Sequence, residues 1–370
     1  MFFRSSALFV WRDERVKDRL SWYYEVMLDH KPAKFRICRS IETTLDPTQA
    51  STDDLVKEHN RLQAKFAETL RQVKSGAAAV EHVDEPRFSL LDIKIELAKR
   101  MLKECRFCEW RCRVNRTVEG KRGACKLGEK SLVSTWFHHY GEEPPLVGSG
   151  GSGTIFFTGC TFRCVFCQNW DISQDWSNGV IIDAKRLALI IKRLRLDGAL
   201  NINFVGGDPT MHLHTILESM RYVDVNVPML WNSNMYLTEE AMNILKDVID
   251  IWLPDFKYGN DRCAIRLSKV PRYFQVVSRN HTIAHANGDI IIRHLVLPNH
   301  IECCTKPVLE WIAKNCPRAL VNVMGQYHPD HLVPSNPDKY SDVARRLRRD
   351  ELERAYAIAD SLGLVYEPVS

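Results

Sequence analysis

Seven of the twelve cysteines fall into two tight groups, and this spacing constrains the chain more than any other feature. Cys160, Cys164 and Cys167 lie within eight residues, and Cys105, Cys108, Cys112 and Cys125 lie within 21. A chain of 370 residues can bury a large core without a disulfide scaffold, so clustered thiols point to metal or iron–sulfur ligation. Cys38, Cys263, Cys303, Cys304 and Cys316 show no comparable spacing, and most are expected to be buried apolar fillers. The start, Met1-Phe2-Phe3-Arg4, leads into an apolar patch that is too short for a secretory signal and is interrupted by Arg12-Asp13-Glu14-Arg15. No apolar run reaches the roughly 18–20 residues of a membrane span. The expectation is a cytoplasmic protein with no membrane partner. Residues 151–370 carry 24 basic and 24 acidic side chains, which excludes a dominant polyanion-binding surface there.

Four segments are expected: a helical N-terminal extension over 1–90, a four-cysteine metal-binding module over 91–150, an α/β domain over 151–330, and a C-terminal helical segment over 331–370. In the first, residues 9–30 and 52–75 show helical periodicity. Leu55, Leu62, Phe66, Leu70 and Val73 form one apolar face, Thr52-Asp53-Asp54 offers capping chemistry, and Gly76 follows the last turn. Residues 75–86 read as a linker. A helix around Leu90–Leu102 leads into the first cysteine group. From Thr154 onward, six short apolar strands alternate with helical segments: Ile155–Thr158, Asn201–Val205, Pro228–Asn232, Asp250–Phe256, Ile290–Leu297 and Leu320–Gln326. Strand-then-helix order implies parallel pairing, and six units imply an open or partial barrel whose chemistry gathers at the C-terminal strand ends.

The second cysteine group stands right after the first of these strands, in Gly159-Cys-Thr-Phe-Arg-Cys-Val-Phe-Cys-Gln-Asn169. Three thiolates on one loop can hold three irons of a [4Fe-4S] cluster and leave the fourth open to a chelating ligand. Taken alone, the pattern also fits a zinc site lacking its fourth ligand. Val205-Gly-Gly-Asp-Pro-Thr210 closes the second strand, Trp231-Asn-Ser-Asn234 the third and Asp255-Phe-Lys257 the fourth, where alternation puts Asp255 and Lys257 on one side. Arg293-His294 lies in the fifth.

The cysteine loop resembles the CxxxCxxC signature of radical S-adenosylmethionine (SAM) enzymes, with Phe166 in the aromatic position. The resemblance implies a partial (β/α)6 barrel, a [4Fe-4S] cluster and SAM, and an oxidoreductase that cleaves SAM reductively to a 5′-deoxyadenosyl radical. It implies SAM or cluster contacts from Phe166, from Gly206, Gly207 and Asp208 (matching the family's GGE motif with Asp for Glu), and from Asn232, Asp255, Lys257 and His294. A turn role for Gly206–Asp208, a surface ion pair for Asp255/Lys257 and a satisfied core role for His294 are the plain alternatives. No catalytic residue beyond the cluster is indicated. Glu142-Glu-Pro-Pro145, Gly153-Thr-Ile-Phe-Phe157, Cys167-Gln-Asn169, Leu253-Pro-Asp-Phe-Lys257, His294-Leu-Val-Leu-Pro298 and Val321-Asn-Val-Met324 are similar to one branch of that superfamily, the uncharacterised relatives of pyruvate formate-lyase activating enzyme. That branch implies a protein substrate that acquires a glycyl radical, and a low-potential electron donor. Radical modification of another peptide or small molecule is the first alternative, and a non-catalytic metal-binding adaptor the second.

Cys105, Cys108, Cys112 and Cys125 supply four soft ligands, which fit a structural zinc or a second, fully ligated Fe–S cluster. The Glu142–Gly153 stretch divides this group from the 160–167 loop and is expected to keep the two centres apart. Arg106, Arg111, Arg113, Arg116, Lys121 and Arg122 surround the group and can offset thiolate charge; nucleic-acid binding through them is the lesser reading.

Overall fold

A computed structural model describes residues 5–77 and 86–370. The openings of the N-terminal extension (1–4) and most of the expected linker (78–85) lie outside the described residues. Eight strands form one sheet: β1 (Ser131–His139), β2 (Ser152–Phe157), β3 (Val180–Ile182), β4 (Ile202–Gly206), β5 (Met229–Ser233), β6 (Ile251–Pro254), β7 (Asp289–Leu295) and β8 (Leu320–Met324). Their spatial order is β3-β1-β2-β4-β5-β6-β7-β8. The six strands from β2 to β8, omitting β3, pair in parallel and match the six apolar runs of the sequence. β1 and β3 add an antiparallel extension on the β2 edge. The fold is a partial (β/α)6 barrel with this extension.

Alternation along the strands sorts their side chains into two sets. Ile155, Phe157, Ile202, Phe204, Met229, Trp231, Trp252, Ile290, Ile292, Val321 and Val323 pack against the outer helices. Leu230, Ile251, Leu253, Ile291 and Leu320 form a separate apolar cluster with Val16, Leu20, Tyr23, Met27, Val365 and Val369. This second set is the floor of the barrel, so both chain ends help to close it from below. One layer up, toward the C-terminal strand ends, the inward side chains become polar: Asn203, Asn232, Arg293 and Asn322.

The N-terminal segment is bound to the strand starts. Trp22 Nε1 donates to Asp250 Oδ1 (2.8 Å), the Tyr23 amide to Asp289 Oδ2 (2.8 Å), the Lys34 amide to Asp250 Oδ1 (3.0 Å), and Asn201 to the Tyr23 hydroxyl (2.9 Å). Residues 9–30 are not one amphipathic helix but a series of short ones, Ser5–Phe9, Val10–Arg12, Glu14–Arg19 and Ser21–Met27, because they must turn under a round floor. A further helix, Lys34–Ser40, lies between the two expected helical stretches. Thr52–Ser75 is helical as expected, but its cap is Ser51, whose hydroxyl accepts from the Asp54 amide (3.1 Å), and Gly76 ends it at φ +77°. No described helix is long and apolar enough to cross a membrane.

Candidate active site

The loop after β2 carries the three clustered thiols and is held from several sides. The amides of Arg163 and Val165 donate to the carbonyls of Ser268 and Leu267 at the end of the helix Asp261–Ser268, and Trp110 Nε1 donates to the Thr161 carbonyl (2.7 Å). Cys160 and Cys164 are buried and Cys167 is half-buried; none forms a disulfide. Each sulfur has a polar neighbour. Asn234 Nδ2 lies 3.6 Å from Cys160 Sγ, Ser268 Oγ 2.9 Å from Cys164 Sγ and Ser173 Oγ 3.2 Å from Cys167 Sγ. Burial pushes all three thiol pKa values up, to about 12 for Cys164, so the thiolates call for a cation. Among the described residues these three sulfurs do not all approach within 4.8 Å of one another, as donors around one small ion would. A buried, free and spread set of three thiols fits a multi-iron cluster.

Beside this loop, the ends of β5, β6 and β7 build a charged network. Lys257 Nζ donates to Asp255 Oδ2 (2.7 Å), and Arg293 donates from Nε to Asp255 Oδ1 (2.9 Å) and from Nη2 to Asn232 Oδ1 (2.5 Å). Burial opposes the Asp255 charge, but Arg293 and Lys257 together outweigh it and hold its carboxyl below the usual range. Two further carboxylates reach the same interior from the Glu142-Glu-Pro-Pro145 turn. Glu142 accepts from Asn203 of β4 (3.0 Å) and Glu143 from Asn322 of β8 (2.8 Å), so one turn bridges strands on opposite sides of the opening. Arg293 Nη1 is 3.7 Å from Glu142 Oε2. Burial raises both glutamates despite Arg293, Glu143 to about 7. Glu143 Oε2, Asn203 Oδ1 and Asn232 Nδ2 are buried without a hydrogen-bond partner. Such orphaned atoms cost stability and mark where a polar ligand is accommodated. Sequence reading treats Glu142 and Glu143 only as a break and a family motif. Their signal is chemical: two adjacent acids before two prolines leading into an apolar strand.

Several expected contacts have a different place. His294 is fully buried on the helix side of β7, with Nδ1 2.7 Å from the Phe256 carbonyl and Nε2 2.9 Å from Thr305 Oγ1. Both ring nitrogens are engaged within the protein, and it is Arg293 that faces the interior. Asp208 uses both oxygens on backbone amides, Thr210 (2.9 Å) and Asn234 (3.0 Å), and so ties the end of β4 to the end of β5. The glycines before it serve the chain's own packing. Gly206 has φ +116°, and a Cβ there would lie 2.2 Å from the Phe157 carbonyl oxygen; a Cβ on Gly207 would lie 1.9 Å from that of Gly159. They let β4 run against the cysteine loop. Phe166 packs edge-on to Tyr327 at 5.6 Å.

Cys105, Cys112 and Cys125 are close enough to Cys108 to bear on its charge, but among the described residues no three of these sulfurs all come within 4.8 Å of one another. Buried Arg116 donates to the carbonyls of Gly128 (2.6 Å) and Met211 (3.0 Å), with Nη1 3.9 Å from Cys105 Sγ. Arg111 pairs with Glu109 and Glu240. The module and the 160–167 loop are in contact. Trp110 bonds to Thr161, Arg163 Nη2 donates to the Ala124 carbonyl (2.6 Å), and Leu127 packs where a Gly159 Cβ would stand. The Glu142–Gly153 stretch folds away into the barrel instead of between the two groups. The two remaining features of note are Cys38 and Cys316, fully buried as fillers, and Cys263, Cys303 and Cys304, which are not fillers but meet around His300.

Comparison with known proteins places these features. The family profile of the radical SAM superfamily matches residues 154–312. The chain is 44% identical over 357 residues to an uncharacterized protein of Methanocaldococcus jannaschii, covering 94% of this chain and all of that one. Among solved structures, it is similar to Streptococcus suis SuiB bound to its precursor peptide SuiA, with TM-score 0.41 and 13% identity over 56% of this chain and 46% of that one. It is also similar to SuiB bound to S-adenosylmethionine (0.41, 12%, 56% and 48%) and to OxsB, a cobalamin-dependent S-adenosylmethionine radical enzyme (0.35, 10%, 57% and 31%). The chain thus spans less than half the length of these three structures.

Proposed function

The chain belongs to the radical SAM superfamily, whose members use a [4Fe-4S] cluster and SAM, and on that premise we propose that it abstracts a hydrogen atom from a partner protein, as a glycyl-radical activating enzyme does. The observation that carries the reading is convergence: the Cys160/Cys164/Cys167 loop, Asn232 and the Asp255/Lys257 pair all stand at the C-terminal ends of neighbouring parallel strands. When bound, the cluster and SAM supply reductive cleavage of a carbon–sulfur bond and a 5′-deoxyadenosyl radical.

In this reading the three thiolates hold the cluster, and Lys257, Asp255 and Asn232 bind the polar groups of SAM. Arg293 is a positioning residue that fixes the Asp255 carboxylate and the Asn232 amide. The apolar floor of Val16, Leu20, Tyr23, Leu230, Ile251 and Ile291 keeps water from rising into the barrel. A substrate then enters only from the mouth. The basic 105–125 module, packed on the cysteine loop, is suited to receive a low-potential electron donor.

A second reading is favoured by the buried Glu142, Glu143 and Arg293. A small polar molecule bound inside the barrel would satisfy Glu143 Oε2 and Asn203 Oδ1, which a glycine in a loop would not. One experiment separates the readings. Anaerobically reconstituted enzyme is supplied with reductant, SAM and a cell extract grown on α-deuterated glycine, split into protein and small-molecule fractions. Deuterium in 5′-deoxyadenosine from the protein fraction supports the activase. Deuterium only from the small-molecule fraction overturns it in favour of the second reading. No 5′-deoxyadenosine from wild type, or formation unchanged in a folded Cys164→Ala variant, defeats the assignment of this loop.

A further inference from the structure

Outside the proposed active site, one group of side chains has the shape of a metal centre. Cys263 lies in the first turn of the helix Asp261–Ser268 that follows β6, and His300, Cys303 and Cys304 lie in the turn that follows β7. Residues 37 or more apart in sequence are thus brought to one point. Among the described residues this is the one group of three or more Cys, His, Asp or Glu ligand atoms that all lie within 4.8 Å of one another. We propose that Cys263, His300, Cys303 and Cys304 form a closed Cys3His zinc site that staples the loop after β6 to the loop after β7.

The distances decide between a metal site and a chance packing of thiols. With Zn–S near 2.3 Å and Zn–N near 2.0–2.1 Å, a tetrahedron sets sulfurs about 3.8 Å apart and each sulfur about 3.6 Å from the nitrogen. His300 Nδ1 lies 3.6, 3.3 and 3.8 Å from the sulfurs of Cys263, Cys303 and Cys304. Cys303 Sγ lies 3.9 Å from both Cys263 Sγ and Cys304 Sγ. A disulfide would need a sulfur pair near 2.0 Å, and a multi-iron cluster spreads its thiolates more widely. One nitrogen within 3.3–3.8 Å of three sulfurs is the geometry of a single small ion.

The surroundings agree. His300 turns its other ring nitrogen, Nε2, to Asp342 Oδ2 at 2.8 Å, the carboxylate–histidine arrangement that orients a zinc-bound imidazole. Arg266 pairs with the same Asp342 and balances that carboxylate's charge. Cys263, Cys304 and His300 are buried and Cys303 is half-buried, and four protein ligands leave no open position for a substrate. The π-helical turn Ile301–Thr305 widens the backbone where adjacent Cys303 and Cys304 must both point at one ion. Asn260 holds the two halves in register, accepting from the Cys263 amide (2.9 Å) and donating to the Cys303 carbonyl (2.7 Å).

The stapled loop matters to its neighbours. The helix begun at Asp261 ends at Ser268, whose hydroxyl meets Cys164 Sγ, and Lys257 stands six residues before Cys263. Zinc would thus hold the far wall of the cysteine loop without touching it.

Zinc and iron are counted per chain by plasma mass spectrometry. Cys263→Ser and Cys303→Ser are each expected to lower zinc by about one per chain with iron unchanged. Asp342→Asn, which keeps the ligands, is expected to weaken retention against a chelator by about 10–100-fold. Should the serine variants fail to fold, wild type alone decides. Iodoacetamide labelling of Cys263, Cys303 and Cys304, read by peptide mass, is expected to be slow and to accelerate once a chelator strips zinc. Zinc content equal to wild type in both serine variants, labelling indifferent to the chelator, or a Cys263–Cys303 disulfide in anaerobically prepared protein would each overturn the site.

Discussion

Replacing Asp250 by Ala should detach the N-terminal helices from the barrel, and the structure sets the size of the effect. Asp250 is fully buried and accepts three hydrogen bonds: from Trp22 Nε1 (2.8 Å), the Lys34 amide (3.0 Å) and the Met229 amide (2.9 Å). Two of the donors belong to the N-terminal segment and one to β5, so one carboxylate joins the two. Removing it orphans three buried donors at about 1–3 kcal/mol each. The lower half of that sum, about 3–6 kcal/mol, is expected, since water can occupy the vacated space and the acid no longer has to be desolvated. That is a large share of the roughly 5–15 kcal/mol that holds a domain folded. Urea unfolding of the cluster-free protein measures the loss, and a double-mutant cycle tests its cause. Trp22→Phe removes one donor and should cost about 1–2 kcal/mol in wild type, but close to nothing in the Asp250→Ala background. A loss below about 1 kcal/mol for Asp250→Ala, or strictly additive costs in the cycle, would refute the reasoning.

Other outcomes follow from the site. Lys257→Ala should weaken SAM binding in calorimetry by about tenfold or more while the visible absorbance of the iron–sulfur cluster persists; unchanged affinity would return the pair to a plain ion pair. Cys108→Ser should lower total metal while 5′-deoxyadenosine formation survives, with zinc lost if the 105–125 group is a knuckle and iron lost if it is a cluster. Glu143 has its folded pKa raised from 4.5 to about 7, chiefly by burial, so the folded state binds the extra proton between those values and its stability falls as pH rises through them. Glu143→Gln should therefore match wild type near pH 4 in urea unfolding and exceed it above pH 7; a parallel pH dependence would remove Glu143 as the cause.

The parallel half of the fold is legible because each strand is buried on both faces and reads as a short apolar run between helical patterns. β1 and β3 escape this reading: Ser131–His139 mixes Ser, Thr, Trp and His, since β3 pairs only with Ser131–Val133 and the rest of the strand exposes Trp136 and Phe137. The 160–167 thiols are legible because one loop carries them all. The Cys263/His300 group is not, because only the βα topology brings the turn after β6 to the turn after β7. The outward direction of His294 follows from the pairing register. Asp255 and Arg293 bridge adjacent strands in register, so the alternation that aims Asp255 inward aims Arg293 inward too and sends His294 outward. The N-terminal helices read as bland amphipathic turns, and no local pattern announces that their partners lie more than 200 residues away.

That distance bears on how the molecule is made. Trp22 and Asp250 are separated by 228 positions, and Arg15 and Glu367 by 352. At about 5–20 residues per second, a ribosome that has finished Trp22 needs roughly 11–46 s to reach Asp250. Through that interval Val16, Leu20, Trp22 and Tyr23 lack most of the floor that covers them, since Ile251, Leu253, Ile291 and Leu320 come later and Val365 and Val369 later still. The nascent chain is thus left with its stickiest helices outermost for most of its synthesis. A holdase that grips this segment at the ribosomal exit, and lets go once the sixth strand is out, would serve this topology better than a chaperone that acts on the finished chain.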